Sequence, residues 1–111
     1  MEEIIKATSK FESEAKKFFS KSDLKDFYTY LQLNPEAGDI IPQTGGVRKL
    51  RWKNPKSNKG KSGGLRIIYF YCEEIIILLI TLYSKSKTES MSDQDKRDIK
   101  KLIKALLKDT T

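Results

Sequence analysis

LRIIYFYCEEIIILLITLY, residues 65 to 83, is the stretch around which the chain is organised. Its halves, Leu65 to Tyr71 and Ile75 to Tyr83, are strand-length runs rich in Ile and Tyr, separated by a turn at Cys72-Glu73-Glu74. A strand with one wet face alternates apolar and polar residues. The second run is apolar almost throughout, the pattern of a central strand covered on both faces. Such a sheet needs covering layers, and the flanking segments have the periodicity to supply them.

Working upstream, Val47 to Trp52 (VRKLRW) reads as the strand before this pair. The two-residue period puts Leu50 and Trp52 on a core-facing side, with Lys49 and Arg51 together on the other. Lys53 to Gly64, KNPKSNKGKSGG, joins it to Leu65 as a long hairpin with a mobile basic tip. The segment before it, PEAGDIIPQTGG, is punctuated by Pro and Gly and reads as a loop. Two helices precede that loop. The first follows a short strand within Glu2 to Ala7, opens at the S-x-x-E box Ser9 to Glu12 and carries Phe11, Ala15, Phe18 and Phe19. The second opens at Ser22-Asp23, carries Leu24, Phe27, Tyr28 and Leu31, and ends at Asn34-Pro35. Downstream, Ser92 to Asp95 starts a terminal helix with an Ile99, Leu102, Ile103 and Leu106 stripe. Its acidic residues lie early and its lysines late, as the helix dipole favours. The expected order is β-α-α-β-β-β-α, a small α+β domain with an antiparallel-rich sheet.

A chain of 111 residues supports one core, so residues 1–111 form a single domain. With 38% apolar and 33% charged residues and periodic apolar runs, the chain folds rather than remaining disordered. Cys72 is the sole cysteine, which excludes an internal disulfide and fits a reducing cytoplasm. The run Ile75 to Tyr83 falls far short of the roughly 20 residues of a spanning helix, and no membrane or secretory segment is expected.

Charge is concentrated. Thr44 to Arg66 holds Arg48, Lys49, Arg51, Lys53, Lys56, Lys59, Lys61 and Arg66 without one carboxylate, in a chain of net charge +7. That is the electrostatic footprint of a surface that meets phosphate. The absence of histidine removes the commonest general base, the Ser-His and Cys-His pairs and the usual zinc sites. Glu73-Glu74 sits at a turn, and Asp93, Asp95 and Asp98 are helix-start residues, so neither metal nor cofactor is expected. The glycine pairs lack the context of a nucleotide-binding loop. Cations on a sheet can nevertheless cleave RNA, whose 2′-hydroxyl is a nucleophile already placed beside its phosphate; the protein supplies alignment, a base and positive charge. A lysine crowded by other cations has a lowered pKa and can serve as that base.

The pieces PEAGDIIPQTGGVRKLRW, KGKSGGLRIIYF and LITLYSKSK, in this order and spacing, resemble the RelE/HigB toxins of bacterial type II toxin-antitoxin modules, in particular their HigB-like branch. The resemblance covers nearly the whole chain. It implies a RelE-like α+β fold and a metal-independent, ribosome-dependent mRNA endoribonuclease that arrests translation and growth. Its implied partners are a cognate helix-turn-helix antitoxin, the 70S ribosome with its mRNA, and operator DNA only through the antitoxin. Carried over by motif, Lys49, Arg51, Arg66, Tyr83 and Lys85 are the implied catalytic residues. Arg48, Lys53, Lys56, Lys59, Lys61 and Lys87 are expected to bind RNA. The tyrosine with which RelE itself stacks on the substrate base falls near Met91 here, a departure with two readings: Tyr83 substitutes for it, or the ribosome does more of the work of orienting the message.

From charge alone, a non-catalytic RNA-binding or ribosome-associated protein is the competing reading. Trp52, Tyr69 and Tyr71 are expected in the core rather than as stacking platforms.

Overall fold

The computed structural model describes residues 4–55, 64–72, 76–84 and 92–109, with side chains as far as residue 105. The elements are β1 (Ile4–Ala7), α1 (Ser9–Phe18), α2 (Lys21–Leu33), β2 (Asp39–Ile40), β3 (Val47–Trp52), β4 (Leu65–Cys72), β5 (Ile76–Ser84) and α3 (Asp93–Asp109). This is the expected α+β order, with a two-residue strand, β2, added inside the Pro/Gly-rich loop. The turn Glu73-Glu74, the hairpin tip and the side chain of Leu106 lie outside the described residues.

The sheet runs β1-β5-β4-β3-β2, parallel only between β1 and β5. The apolar strand β5 is thus internal, and both of its faces are covered, as its composition requires. On one face α1 and α2 bury Phe11, Ala15, Phe19, Phe27 and Leu31 against Leu50, Leu65, Ile67, Tyr69, Leu79 and Leu82. Trp52 packs there edge-on to Phe27, with ring centroids 5.1 Å apart. On the other face α3 buries Ile99 and Ile103 against Val47, Ile68, Phe70, Leu78 and Ile80. Leu102 of the expected α3 stripe stays 39% exposed, because α3 meets the sheet along the narrower Ile99–Ile103 row.

Helix starts differ from the sequence expectation by small shifts. Thr8, not Ser9, caps α1: its hydroxyl accepts from Phe11 N–H and donates to the Ile80 carbonyl at 2.6 Å. Ser20, not Ser22, caps α2 in a reciprocal box with Asp23. In both cases the hydroxyl wins that lies three residues before a free amide and in extended backbone. At α3 the box is as expected, between Ser92 and Asp95.

Two features fix the edge at β2. The Tyr69 hydroxyl, inside the core, accepts from Gly38 N–H at 2.9 Å and donates to the Pro35 carbonyl at 2.8 Å. A Cβ at Gly38 would stand 3.0 Å from both the Lys49 carbonyl oxygen and the Tyr69 ring, so only glycine lets the loop approach this closely. Farther on, the fully buried Thr44 closes the turn into β3, donating to the Ile41 carbonyl and accepting from Val47 N–H. Gly45 and Gly46 supply its left-handed backbone, at φ 80° and 109°.

Candidate RNA-cleavage site

On the α3 side of the sheet the apolar cluster gives way, toward one end of β3 and β4, to polar residues. Strand register sets side chains of that face in rows. Val47, Phe70 and Leu78 form one row within the cluster that α3 covers. Asp39, Lys49, Ile68 and Thr81 form the next, across β2, β3, β4 and β5. Arg51, Arg66 and Tyr83 form the last, on three neighbouring strands. Directly opposed residues have Cβ atoms about 5 Å apart, so this last row is a contiguous patch.

A bulge is what brings Tyr83 into it. Leu78 and Ile80 lie on the α3 side, and unbroken alternation would put Tyr83 on the opposite side with Leu79. The register shift between Ile68 and Tyr69 reverses the phase, so that Leu82 joins the α1/α2 core and Tyr83 pairs with Arg66. The carbonyl of Ile80 at this irregularity is the one held by Thr8, which links the α1 cap to the placement of Tyr83.

The electrostatics of the row are unfavourable to the protein by itself. Arg51 and Arg66 are register partners, and like charges directly opposed on a sheet destabilise it. Among the described residues neither makes a salt bridge, and neither does Lys49. The Tyr83 hydroxyl is buried with no hydrogen-bond partner among the described residues. Burial pushes its pKa up from the usual value near 10, against an opposing pull from the Arg66 charge, so the phenol keeps its proton at neutral pH. Guanidinium groups without a described counter-charge, beside an O–H donor without a described partner, are the complement of an anionic, acceptor-rich ligand. A phosphodiester has that chemistry.

The structure brings together four of the five residues expected to be catalytic: Lys49, Arg51, Arg66 and Tyr83. Lys85 lies outside the described residues, as do Lys56, Lys59, Lys61, Lys87 and Met91. Lys53 is exposed just past β3. Arg48, the remaining residue expected to bind RNA, points to the other side of β3, where its guanidinium donates to the carbonyls of Glu36 at 3.2 Å and Gly38 at 2.8 Å. It helps hold the loop that Tyr69 also holds.

The position of Asp39 next to these residues is not legible in the sequence, because PEAGDIIPQTGG carries no strand signal. Only the pairing of β2 with β3 sets Asp39 opposite Lys49 in the strand register. Thr81, inside the apolar run Ile75 to Tyr83, likewise joins this row only through strand register. No group of three or more potential metal ligands occurs among the described residues. No described helix is long and apolar enough to cross a membrane.

The chain matches no established protein-family profile. Its backbone does superimpose on a solved protein, the toxin RelE of E. coli in a free-state mutant form, with a TM-score of 0.55 and 18% sequence identity, over 78% of this chain and 86% of that one. The fold is RelE-like. At this identity the likeness concerns backbone architecture, and the chemistry of the RelE-like sheet in this chain rests on its own side chains. What those side chains add is the Arg51–Arg66–Tyr83 row, at the margin of the cluster that α3 covers, against which Tyr83 packs.

Proposed function

We propose that this chain is the toxin of a type II toxin-antitoxin module, of the HigB-like branch, and cuts ribosome-bound mRNA without a metal ion. The observation that carries the proposal is the row itself: two directly opposed arginines with no ion-pair partner among the described residues, beside a buried, protonated phenol with no described hydrogen-bond partner. In the reaction the 2′-oxygen forms a bond to the adjacent phosphorus and the bond from phosphorus to the 5′-oxygen breaks. The products are a 2′,3′-cyclic phosphate and a 5′-hydroxyl. Arg51 and Arg66 take the charge that grows on the non-bridging oxygens. Tyr83 donates a proton to the departing 5′-oxygen, and the 2′-hydroxyl proton leaves to a base in the assembled complex. Lys49 adds a cation one row away, and Lys85 is assigned to the same group by motif. Lys53, Lys56, Lys59, Lys61 and Lys87 are assigned to attraction of phosphate in the ribosome-message complex. The proposed partners are the ribosome with its message and an antitoxin of the helix-turn-helix type, in the cytoplasm.

An open sheet surface has few groups that orient a flexible RNA strand, which is why substrate geometry is assigned to the ribosome. The purified chain, added to a translation extract, is expected to cut messages only where ribosomes occupy them, as read by RNA-end sequencing. Equal cutting of naked RNA would remove the ribosome from the mechanism. Binding to ribosomes with no cutting would establish the non-catalytic RNA-binding reading instead.

A further inference from the structure

A cleft of about 480 Å³ opens beside the arginine row, between β3 and the β2 edge. Its walls include Ile40, Ile41 and Pro42, and its polar groups include Asp39, Lys49 and Arg51. The Asp39 carboxylate makes no hydrogen bond or ion pair among the described residues, although Lys49 is its register partner. Nothing in the reaction proposed above uses it. The segment that presents it is nevertheless firmly built, held by Tyr69 and Arg48 before it and by Thr44 after it.

A free carboxylate by itself suits a cationic ligand, but Lys49 and Arg51 flank this one and would repel such a ligand. The combination calls for a ligand whose anionic part meets the two cations while neutral N–H donors meet the carboxylate. Nucleotides have this division. Among the bases, guanine alone presents two adjacent donors, N1–H and the N2 amino group, on its Watson–Crick edge, matching the two oxygens of an acceptor-only carboxylate. Specific RNA recognition works through unstacked bases read on such edges, and apolar walls of this kind accept a base face.

We propose that this cleft is a nucleobase subsite for an unpaired guanine of the message, read by Asp39 while Lys49 and Arg51 hold the neighbouring phosphate. The proposal deepens the nuclease reading by adding a sequence preference beside the cut, and it rests on that reading for the identity of the ligand as RNA.

The test uses the full chain without ribosomes. Short RNA oligonucleotides, made uncleavable by one 2′-deoxy nucleotide, carry guanine, hypoxanthine or adenine at a single position. Binding is followed by NMR chemical shifts, which read weak affinities. Guanine is expected to bind about tenfold more tightly than either analogue, since a bidentate base contact discriminates by roughly that factor or more. Asp39→Asn, a substitution at an exposed side chain with no bond among the described residues, is expected to erase the preference, so that the three oligonucleotides bind alike. Equal binding of the three bases by the native chain, or an unchanged guanine preference in Asp39→Asn, would overturn the subsite. Failure of the nuclease reading is separable, because the titration needs no cleavage: a chain that prefers guanine and never cuts keeps the subsite and loses the catalytic role.

Discussion

Arg66→Ala is expected to lower single-turnover cleavage of ribosome-bound message by about 10²-fold to 10³-fold, the cost of deleting one preorganised donor to a developing anion. Ribosome co-sedimentation should change little, because ground-state attraction is spread over many cations of the segment from Thr44 to Arg66. Stability should hold or rise. Arg66 faces Arg51 directly across β3 and β4 with no described carboxylate bound to either, and removing one relieves a like-charge pair that costs on the order of 0.2–1 kcal/mol. Melting curves, co-sedimentation and cleavage on one preparation separate these effects. A loss of cleavage that only follows a loss of binding would reduce Arg66 to a phosphate anchor.

Tyr83→Phe is expected to cost cleavage about 10²-fold or more, the range for a positioned proton donor, while leaving the melting temperature unchanged or higher. The hydroxyl it removes is buried without a described partner, a situation that ordinarily costs roughly 1–3 kcal/mol. Activity gained at the expense of stability is what a functional side chain shows. The pH dependence has a definite sign. Burial raises the Tyr83 pKa, so the proton-donating form persists through neutrality and is lost only as pH climbs beyond the usual tyrosine value of about 10. The same shift favours the folded state below that value and is lost above it. Cleavage in Tyr83→Phe equal to that of the native chain would remove the phenol from the reaction.

The sequence was informative where one element determines its own structure. The apolar density of Ile75 to Tyr83 demanded a doubly covered strand, and alternation in VRKLRW separated Leu50 and Trp52 from Lys49 and Arg51. Pairing and irregularity were less accessible. The row of Arg51, Arg66 and Tyr83 depends on register between strands distant in sequence. Tyr83 also depends on a bulge that no residue type announces, since Ile80, Thr81 and Leu82 all suit a regular strand. Asp39 was hidden for a related reason: a two-residue strand has too few residues to display a period, and its neighbour Gly38 is held by Tyr69 of β4, 31 residues away in sequence. Arg48 shows the converse. Its charge was legible, but only tertiary contacts reveal that its guanidinium is engaged with two backbone carbonyls.

The central claim is that this cation-and-phenol row cleaves RNA through the substrate's own 2′-hydroxyl. Replacing the nucleotide 5′ of the cut by its 2′-deoxy form, in a message held on the ribosome, tests it most directly. Cleavage is expected to disappear at that position, while the all-ribose message yields a 2′,3′-cyclic phosphate and a 5′-hydroxyl end. Undiminished cutting of the deoxy message would contradict the mechanism, because the nucleophile would then have to be water or the protein.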